Sequence, residues 1–256
     1  MPGESRVAIF TLTKNRLAYT KRMMSSLIEN THYPFDHFIV DNGSADGTLR
    51  YLDQNRANFA KIILNEDNKG ISIGWNQALE AIGRSYDYII KLDNDCEIMT
   101  KDWLRPLLEI CRAFDNRIVL SPFVDGLHQH KGGVPRYGFR QTNGYSVGLT
   151  KHLGGISLIA PAHIYEDFRF NETLPLRGNQ DRTFSDYLGN RGYLLGYVED
   201  IKVLHMDTTV GQQERYPEYF SEAESERWTV YGRTKLFMKQ RIRLGRKVRQ
   251  LKQRWR

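Results

Sequence analysis

Cysteine is nearly absent from this chain, with only Cys96 and Cys111 in 256 residues. Two thiols supply neither a disulfide framework nor a cysteine-based zinc site, and they suit a reducing compartment. No apolar run approaches the roughly 18 residues of a membrane-spanning helix. The N-terminus enters a strand pattern almost at once, so no signal peptide is expected and the natural compartment is the cytoplasm. The phosphate loop Gly-x-x-x-x-Gly-Lys-Ser/Thr is missing. Gly70 to Gly74 and Gly144 to Gly148 do not make a dinucleotide fingerprint either. These absences argue against P-loop enzymes and dinucleotide-dependent dehydrogenases.

Acidic residues are missing from one end. Residues 235–256 hold ten Lys or Arg and no Asp or Glu. The net charge of +7 is therefore a property of the tail, since residues 1–234 carry 27 basic and 30 acidic side chains, a net of −3. The main body has no character of a general polyanion binder. Within the tail, Leu244, Val248, Leu251 and Trp255 recur at spacings of four, three and four, which makes one face of a basic amphipathic helix. Such a helix suits an anionic membrane surface, which would make the protein peripheral on the inner face of the membrane. Nucleic-acid contact and packing on the body are the other two readings.

Residues 1–100 alternate between two periods. Arg6 to Thr13, His37 to Asp41, Lys61 to Leu64 and Tyr88 to Leu92 read as strands. Helical spacing separates them, from Leu17 to about Asn30, from Leu49, and from Ile73 to Ile82. The alternation predicts βαβ units in a mostly parallel central sheet flanked by helices, an α/β fold. Every strand ends in polar residues: Thr11 and Thr13, Asp41, Asp67 and Asn68, Asp93 and Asp95. Ligands of open α/β sheets bind at the carboxyl ends of the strands. The second half is less regular. Trp103 to Phe114 and Thr183 to Asn190 are expected to be helical. Leu153 to Ala160 is expected to be a strand, and Tyr193 to Leu204 one long strand or a pair. Residues 121–150 read as loops and short strands. Trp75 and Trp103 read as core, and His128 and His130 as acceptor-side surface.

Asp93-Asn94-Asp95 closes the fourth strand. Two carboxylates leaving a buried strand can converge on a divalent cation, and oxygen ligands suit Mg²⁺ or Mn²⁺ completed by substrate phosphates. Several motifs together resemble family-2 glycosyltransferases of the GT-A fold. They are Val7 to Arg16, Ile39 to Thr48, Asn65 to Asn76, Leu92 to Asp95, Gly154 to Ile159, Gln180 to Ser185 and Val198 to His205. The resemblance spans residues 6–210. It implies metal-dependent, inverting transfer of a hexose-type sugar from a nucleotide-diphosphate sugar, a UDP-sugar first, to an acceptor hydroxyl on a carbohydrate, lipid-linked or nucleic-acid acceptor. It also implies a nucleotide-binding half near residues 1–100, an acceptor half near 101–210, and the tail 235–256 as a separate appendage.

The resemblance assigns Thr11, Thr13 and Arg16 to the nucleotide pocket and Asp41 to the base. Asp67, Asn68 and Gly70 fall beside base and ribose. Asp93 and Asp95 form the Asp-x-Asp, with Asp95 the direct metal ligand. Asp181 is the catalytic base, and His205 completes the metal or diphosphate site. Two departures stand out. Gln180-Asp181 replaces the family's frequent Glu-Asp, and Thr11-Leu12-Thr13-Lys14-Asn15 replaces its usual Pro-Thr/Ser-Tyr-Asn. Each residue also has a plainer reading. Asp41 fits an Asx turn, Asp181 a helix N-terminal charge, and His205 a structural histidine. The alternatives in function are a nucleotidyltransferase, which would want a glycine-rich loop that Thr11 to Arg16 lacks, and a nucleic-acid- or membrane-binding protein acting through its tail.

Overall fold

The structure is a computed structural model that describes residues 4–125, 135–154, 156–173 and 179–206. The readings for His128, His130 and the tail 235–256 lie outside the described residues. The chain divides into two compact units, Met1–Gln212 and Gln213–Arg256, and the description below concerns the first.

In chain order the elements are β1 (Val7–Thr13), α1 (Leu17–Asn30), β2 (Asp36–Asn42), α2 (Thr48–Gln54), β3 (Lys61–Asn65), α3 (Ile71–Ile82), β4 (Tyr88–Leu92) and β5 (Cys96–Ile98). There follow α4 (Leu104–Ala113), β6 (Ile118–Asp125), β7 (Gly138–Thr142), β8 (Tyr145–Leu149), β9 (Ser157–Pro161), α5 (Ile164–Asp167), α6 (Gln180–Asn190) and β10 (Leu194–His205). The described strands form one mixed sheet in the order β3-β2-β1-β4-β9-β6-β10-β8-β7, with β5 paired off this path on β10. β3, β2, β1 and β4 run parallel. Beyond β4, antiparallel pairing dominates, although β6 and β10 are parallel to each other.

The parallel half follows from its sequence. Val7 to Phe10 and Tyr88 to Leu92 are apolar almost throughout, as strands covered on both faces must be, and these residues are buried. α1 buries Met23, Met24 and Leu27 against the sheet, and α3 buries Trp75, Ala78, Leu79 and Ile82. Gly74 lets α3 approach β1 closely, because a Cβ there would strike the Leu12 side chain. α4 presents the expected stripe of Leu104, Leu107, Leu108 and Cys111. Trp103 is buried and donates its indole N–H to Thr31 Oγ1 at 2.8 Å, so a core role for it holds.

The rest of the chain departs from expectation in five elements. The three-residue β5 and the one-turn α5 have no counterpart in the sequence reading, since both are too short to show a period. Ile118–Asp125 is a full strand, whereas residues from 121 onward read as loop or short strand. The strand expected from Leu153 begins at Ser157. α6 begins at Gln180 rather than Thr183, so Asp181 sits within its first turn rather than before it. Tyr193 to Leu204 resolves as one strand with an irregularity between Val198 and Lys202. Among the described residues no helix is long and apolar enough to cross a membrane.

Candidate active site

The carboxyl ends of the parallel strands lie side by side, and their polar residues bond mainly to one another. At the end of β2, Asp41 accepts hydrogen bonds from the Ser44 amide (2.9 Å) and hydroxyl (2.5 Å). Its plainer reading as an Asx turn is thus present in the geometry. Burial raises the Asp41 pKa, and the bonds from Ser44 oppose that rise. Asn42 donates to Asn68 Oδ1 (2.8 Å) and accepts from the Lys69 amide (3.0 Å), which ties the β2 and β3 loops together. Gly43, at φ 80°, is needed there, because a Cβ would lie 2.9 Å from the Asp67 backbone. Asn68 also accepts from the Gly70 amide, which opens α3. Asp67 is exposed and paired with Lys69, whose ammonium holds the carboxyl below its ordinary range.

A second cluster joins β1 to the Asp93–Asp95 turn. Thr13 shares a hydrogen bond with Thr20 (3.1 Å) and accepts one from the Asn94 amide group (3.1 Å). Arg16 stands in the left-handed conformation at the start of α1. From there its guanidinium donates to Asp95 Oδ2 and Asn94 Oδ1, both at 3.1 Å. Thr11 is placed differently. It is fully buried and its hydroxyl is bonded to His37 Nε2 at 3.0 Å, so it supports the pocket from within rather than lining it.

β10 returns to this turn from the far half. Its last residues pair antiparallel with β5, His205 opposite Cys96, and the Met206 amide donates to the Asp95 carbonyl. His205 Nε2 thereby lies 3.6 Å from Asp95 Oδ2. Asp93 has another partner. Lys91, buried on β4, extends its ammonium 2.6 Å from Asp93 Oδ1 and 4.3 Å from the Trp75 ring centroid. Removal from water pushes Asp93 up to about 6, Lys91 opposes the rise, and Asp95 and Asp181 reinforce it.

Asp181 faces the same region from the first turn of α6. It lines a cavity of about 430 Å³ together with His152, Leu153, Gly154, Asn179, Arg182 and Tyr197. Tyr197 is held in place by the Gly154 amide, which donates to its hydroxyl at 2.7 Å. Asp181 Oδ1 is buried and has no hydrogen-bond partner among the described residues. Such an oxygen normally finds one.

The structure therefore brings together Thr13, Arg16, Asp95 and His205 in one cluster, and Asp41, Asn68 and Gly70 in another. It ties Asp93 to Lys91 and leaves Asp181 at the cavity. Sequence reasoning passed over Asn42, Asn94, Lys91, His152 and Tyr197. Lys91 had a signal, since it is the one charge inside an otherwise apolar strand. A carboxylate and an imidazole within 3.6 Å form an oxygen–nitrogen donor pair that suits Mn²⁺ and admits Mg²⁺ once diphosphate oxygens and water complete the shell. No group of three or more His, Cys, Asp or Glu among the described residues is arranged to hold a metal without such help.

Comparison with known proteins agrees with this architecture. The model of the family described as glycosyl transferase family 2 matches residues 8–158. Chondroitin synthase of Escherichia coli is 33% identical over 107 residues, which is 41% of this chain and 14% of that protein. The structure of GalNAc-T7 with UDP, GalNAc and Mn²⁺ superposes with a TM-score of 0.67 at 16% identity, over 80% of this chain and 44% of the other. The mannosyltransferase PcManGT from Pyrobaculum calidifontis, in complex with GDP-Man and Mn²⁺, gives 0.61 at 16% identity, over 80% and 58%. S. aureus TarS 1–349 in complex with UDP gives 0.60 at 18% identity, over 78% and 60%. These likenesses establish the GT-A fold. The chain spans about half the length of the solved structures it matches, and a smaller share of the synthase.

Proposed function

The chain belongs to glycosyl transferase family 2, and from that premise we propose that it moves a sugar from a nucleotide-diphosphate sugar, a UDP-sugar first, to an acceptor hydroxyl with inversion at the anomeric carbon. The observation that carries this reading is Asp181. The residue lines the cavity with His152 and Tyr197, and its buried Oδ1 lacks a hydrogen-bond partner among the described residues. A carboxylate kept in that state is suited to take a proton from an acceptor hydroxyl.

The step balances simply. The acceptor oxygen bonds to the anomeric carbon, its proton passes to Asp181, and the bond from that carbon to the diphosphate oxygen breaks. The transition state has oxocarbenium character, as in glycoside hydrolysis. Asp95 and His205 would hold a divalent cation, with Arg16 paired to the same Asp95 oxygen that His205 approaches. When bound, that cation offsets the charge growing on the leaving diphosphate. Asp41, Asn68 and Gly70 form the edge against which base and ribose would rest. The nucleotide of the donor is thereby bound by the parallel half, and the sugar and acceptor meet at Asp181.

Calorimetric titration of UDP into the protein tests the donor site. Binding is expected with Mn²⁺, lost on adding EDTA, and weakened at least tenfold in Asp95→Ala. If UDP binds equally well with EDTA, the role given to Asp95 and His205 is wrong. If no nucleoside diphosphate binds at all, the transferase reading fails.

A further inference from the structure

We propose that Lys91 is a positioning residue that keeps Asp93 out of the cation's coordination shell, so that the site binds a divalent cation well only together with the diphosphate of the donor. The proposal rests on the reading that Asp95 and His205 hold that cation, and it names the device that ties metal binding to nucleotide binding.

The two carboxylates of the Asp93–Asp95 turn are drawn in different directions. Phe10 on β1 pairs with Lys91 on β4, and residues directly opposite share a face of the sheet. Leu12, two residues beyond Phe10, shares that face too. It is the face covered by α3, where Gly74 packs on Leu12 and the Trp75 ring lies 4.3 Å from the Lys91 ammonium. Thr13 belongs to the other face and bonds to Thr20 on α1. Lys91 draws Asp93 toward the α3 side, with Nζ 2.6 Å from Oδ1. Arg16, at the start of α1, draws Asp95 the other way at 3.1 Å, and His205 approaches the same Asp95 oxygen at 3.6 Å. Had both carboxylates converged beside His205, they would form a cluster of three candidate ligands. The described residues contain no such cluster.

Stability alone does not account for Lys91. It is the one charge within Tyr88–Leu92 and is 2% exposed. A buried ammonium is costly to desolvate, and well-packed apolar side chains in place of a buried ion pair are often as stable or more so. The Trp75 ring offsets part of that cost. The other partner is the Asp93 carboxylate, whose side chain is 34% exposed. What Lys91 changes is where that carboxylate points.

The direction matters for the metal. Mg²⁺ sites of nucleotide-using enzymes hold the ion with one or two carboxylates and leave other positions to substrate phosphates. One carboxylate and one imidazole make a weak site that the diphosphate completes. A second carboxylate would hold the ion without nucleotide and would take a position that a phosphate oxygen fills.

The test measures Mn²⁺ binding to the full chain at pH 7.5 through the electron paramagnetic resonance signal of the free ion, first without nucleotide and then with UDP. Melting curves of the same samples report folding. Wild type is expected to bind Mn²⁺ weakly alone and about tenfold more tightly with UDP. Lys91→Met should bind Mn²⁺ alone about tenfold more tightly than wild type and lose most of the tightening by UDP. Asp93→Asn should match wild type without nucleotide, and Lys91→Met/Asp93→Asn should lose the gain seen in Lys91→Met. Unchanged Mn²⁺ affinity in Lys91→Met overturns the proposal. So does an Asp93→Asn variant that loses Mn²⁺ as Asp95→Asn does, and this arm decides the matter if Lys91→Met does not fold. A wild type that binds no Mn²⁺ even with UDP is a separate failure, because it removes the Asp95–His205 site itself and the proposal with it.

Discussion

The two halves of the sheet hold the residues of the candidate site differently. In the parallel half, nearly every polar side chain at a strand end is satisfied by another. Asn42 holds Asn68, Thr13 and Arg16 hold Asn94, Ser44 holds Asp41, and Lys91 holds Asp93. In the mixed half, Asp181 keeps a buried oxygen without a hydrogen-bond partner among the described residues, beside an open cavity. Buried polar networks of the first kind rigidify a surface, whereas an unsatisfied group is costly and marks a place where something else is expected to bind. A site that must receive the same nucleotide at every turnover gains from rigidity. A site that must move a proton needs a group that is not already committed.

Breaking the uncommitted group should have the largest effect. Asp181→Asn keeps the volume and removes the carboxylate proposed as the base. Turnover of a UDP-sugar is expected to fall by about 10²- to 10⁴-fold, with UDP affinity and thermal stability close to wild type. Steady-state kinetics beside calorimetry would show this, and a matching loss of UDP affinity would count against the division between the halves.

Breaking the committed half should act on stability first. In Lys91→Met the ammonium between Asp93 and Trp75 is gone, and Asp93 is left beside Asp95 without its cation. A loss of about 2 kcal/mol is expected in urea unfolding, below the full cost of splitting a buried pair because the Asp93 side chain is about one-third exposed. Added Mn²⁺ should recover part of it. Asp93 sharpens the point through pH. Its raised pKa in the fold means that proton binding stabilises the native state below the ordinary carboxylate range, and this contribution is lost as pH rises through about 6. Stabilisation by Mn²⁺ should therefore be greater at pH 7.5 than at pH 5.5.

The smallest effect concerns the interior of the same half. Burial lowers the pKa of His37 to about 3, so it stays neutral in the fold while the unfolded chain takes up a proton below about 6.5. Its contribution is fully present above that value and is lost on acidification, at no more than about 1.4 kcal/mol per pH unit. His37→Gln should flatten the dependence of the urea midpoint between pH 7 and pH 5. An unchanged slope would locate the acid sensitivity elsewhere.

How much of this was legible from sequence follows the same divide. Tyr88 to Leu92 has the same bounds in the sequence reading and in the fold, because a fully buried parallel strand shows itself as an apolar run. Asp41, Asp95 and Asp181 were named from motif and strand-end position. The start of α6 was missed because Gln180, Asp181 and Arg182 carry no apolar period and Asn179 offers no side-chain cap bond. The meeting of Asp95 with His205 depends on β5, and three residues are too few to announce a strand.

That last-strand contact has a consequence for how the protein comes into being. Asp95 and His205 are separated by 110 positions, and the small strand Cys96–Ile98 finds its partner only in the closing residues of β10. A nascent chain that has emerged from the ribosome as far as β9 already possesses β1 to β4 and the carboxylates of the turn, but not the imidazole. Domains assemble from the N-terminus during synthesis. The parallel half can therefore settle before the last strand arrives, and Asp95 meets His205 only once β10 has closed on β5.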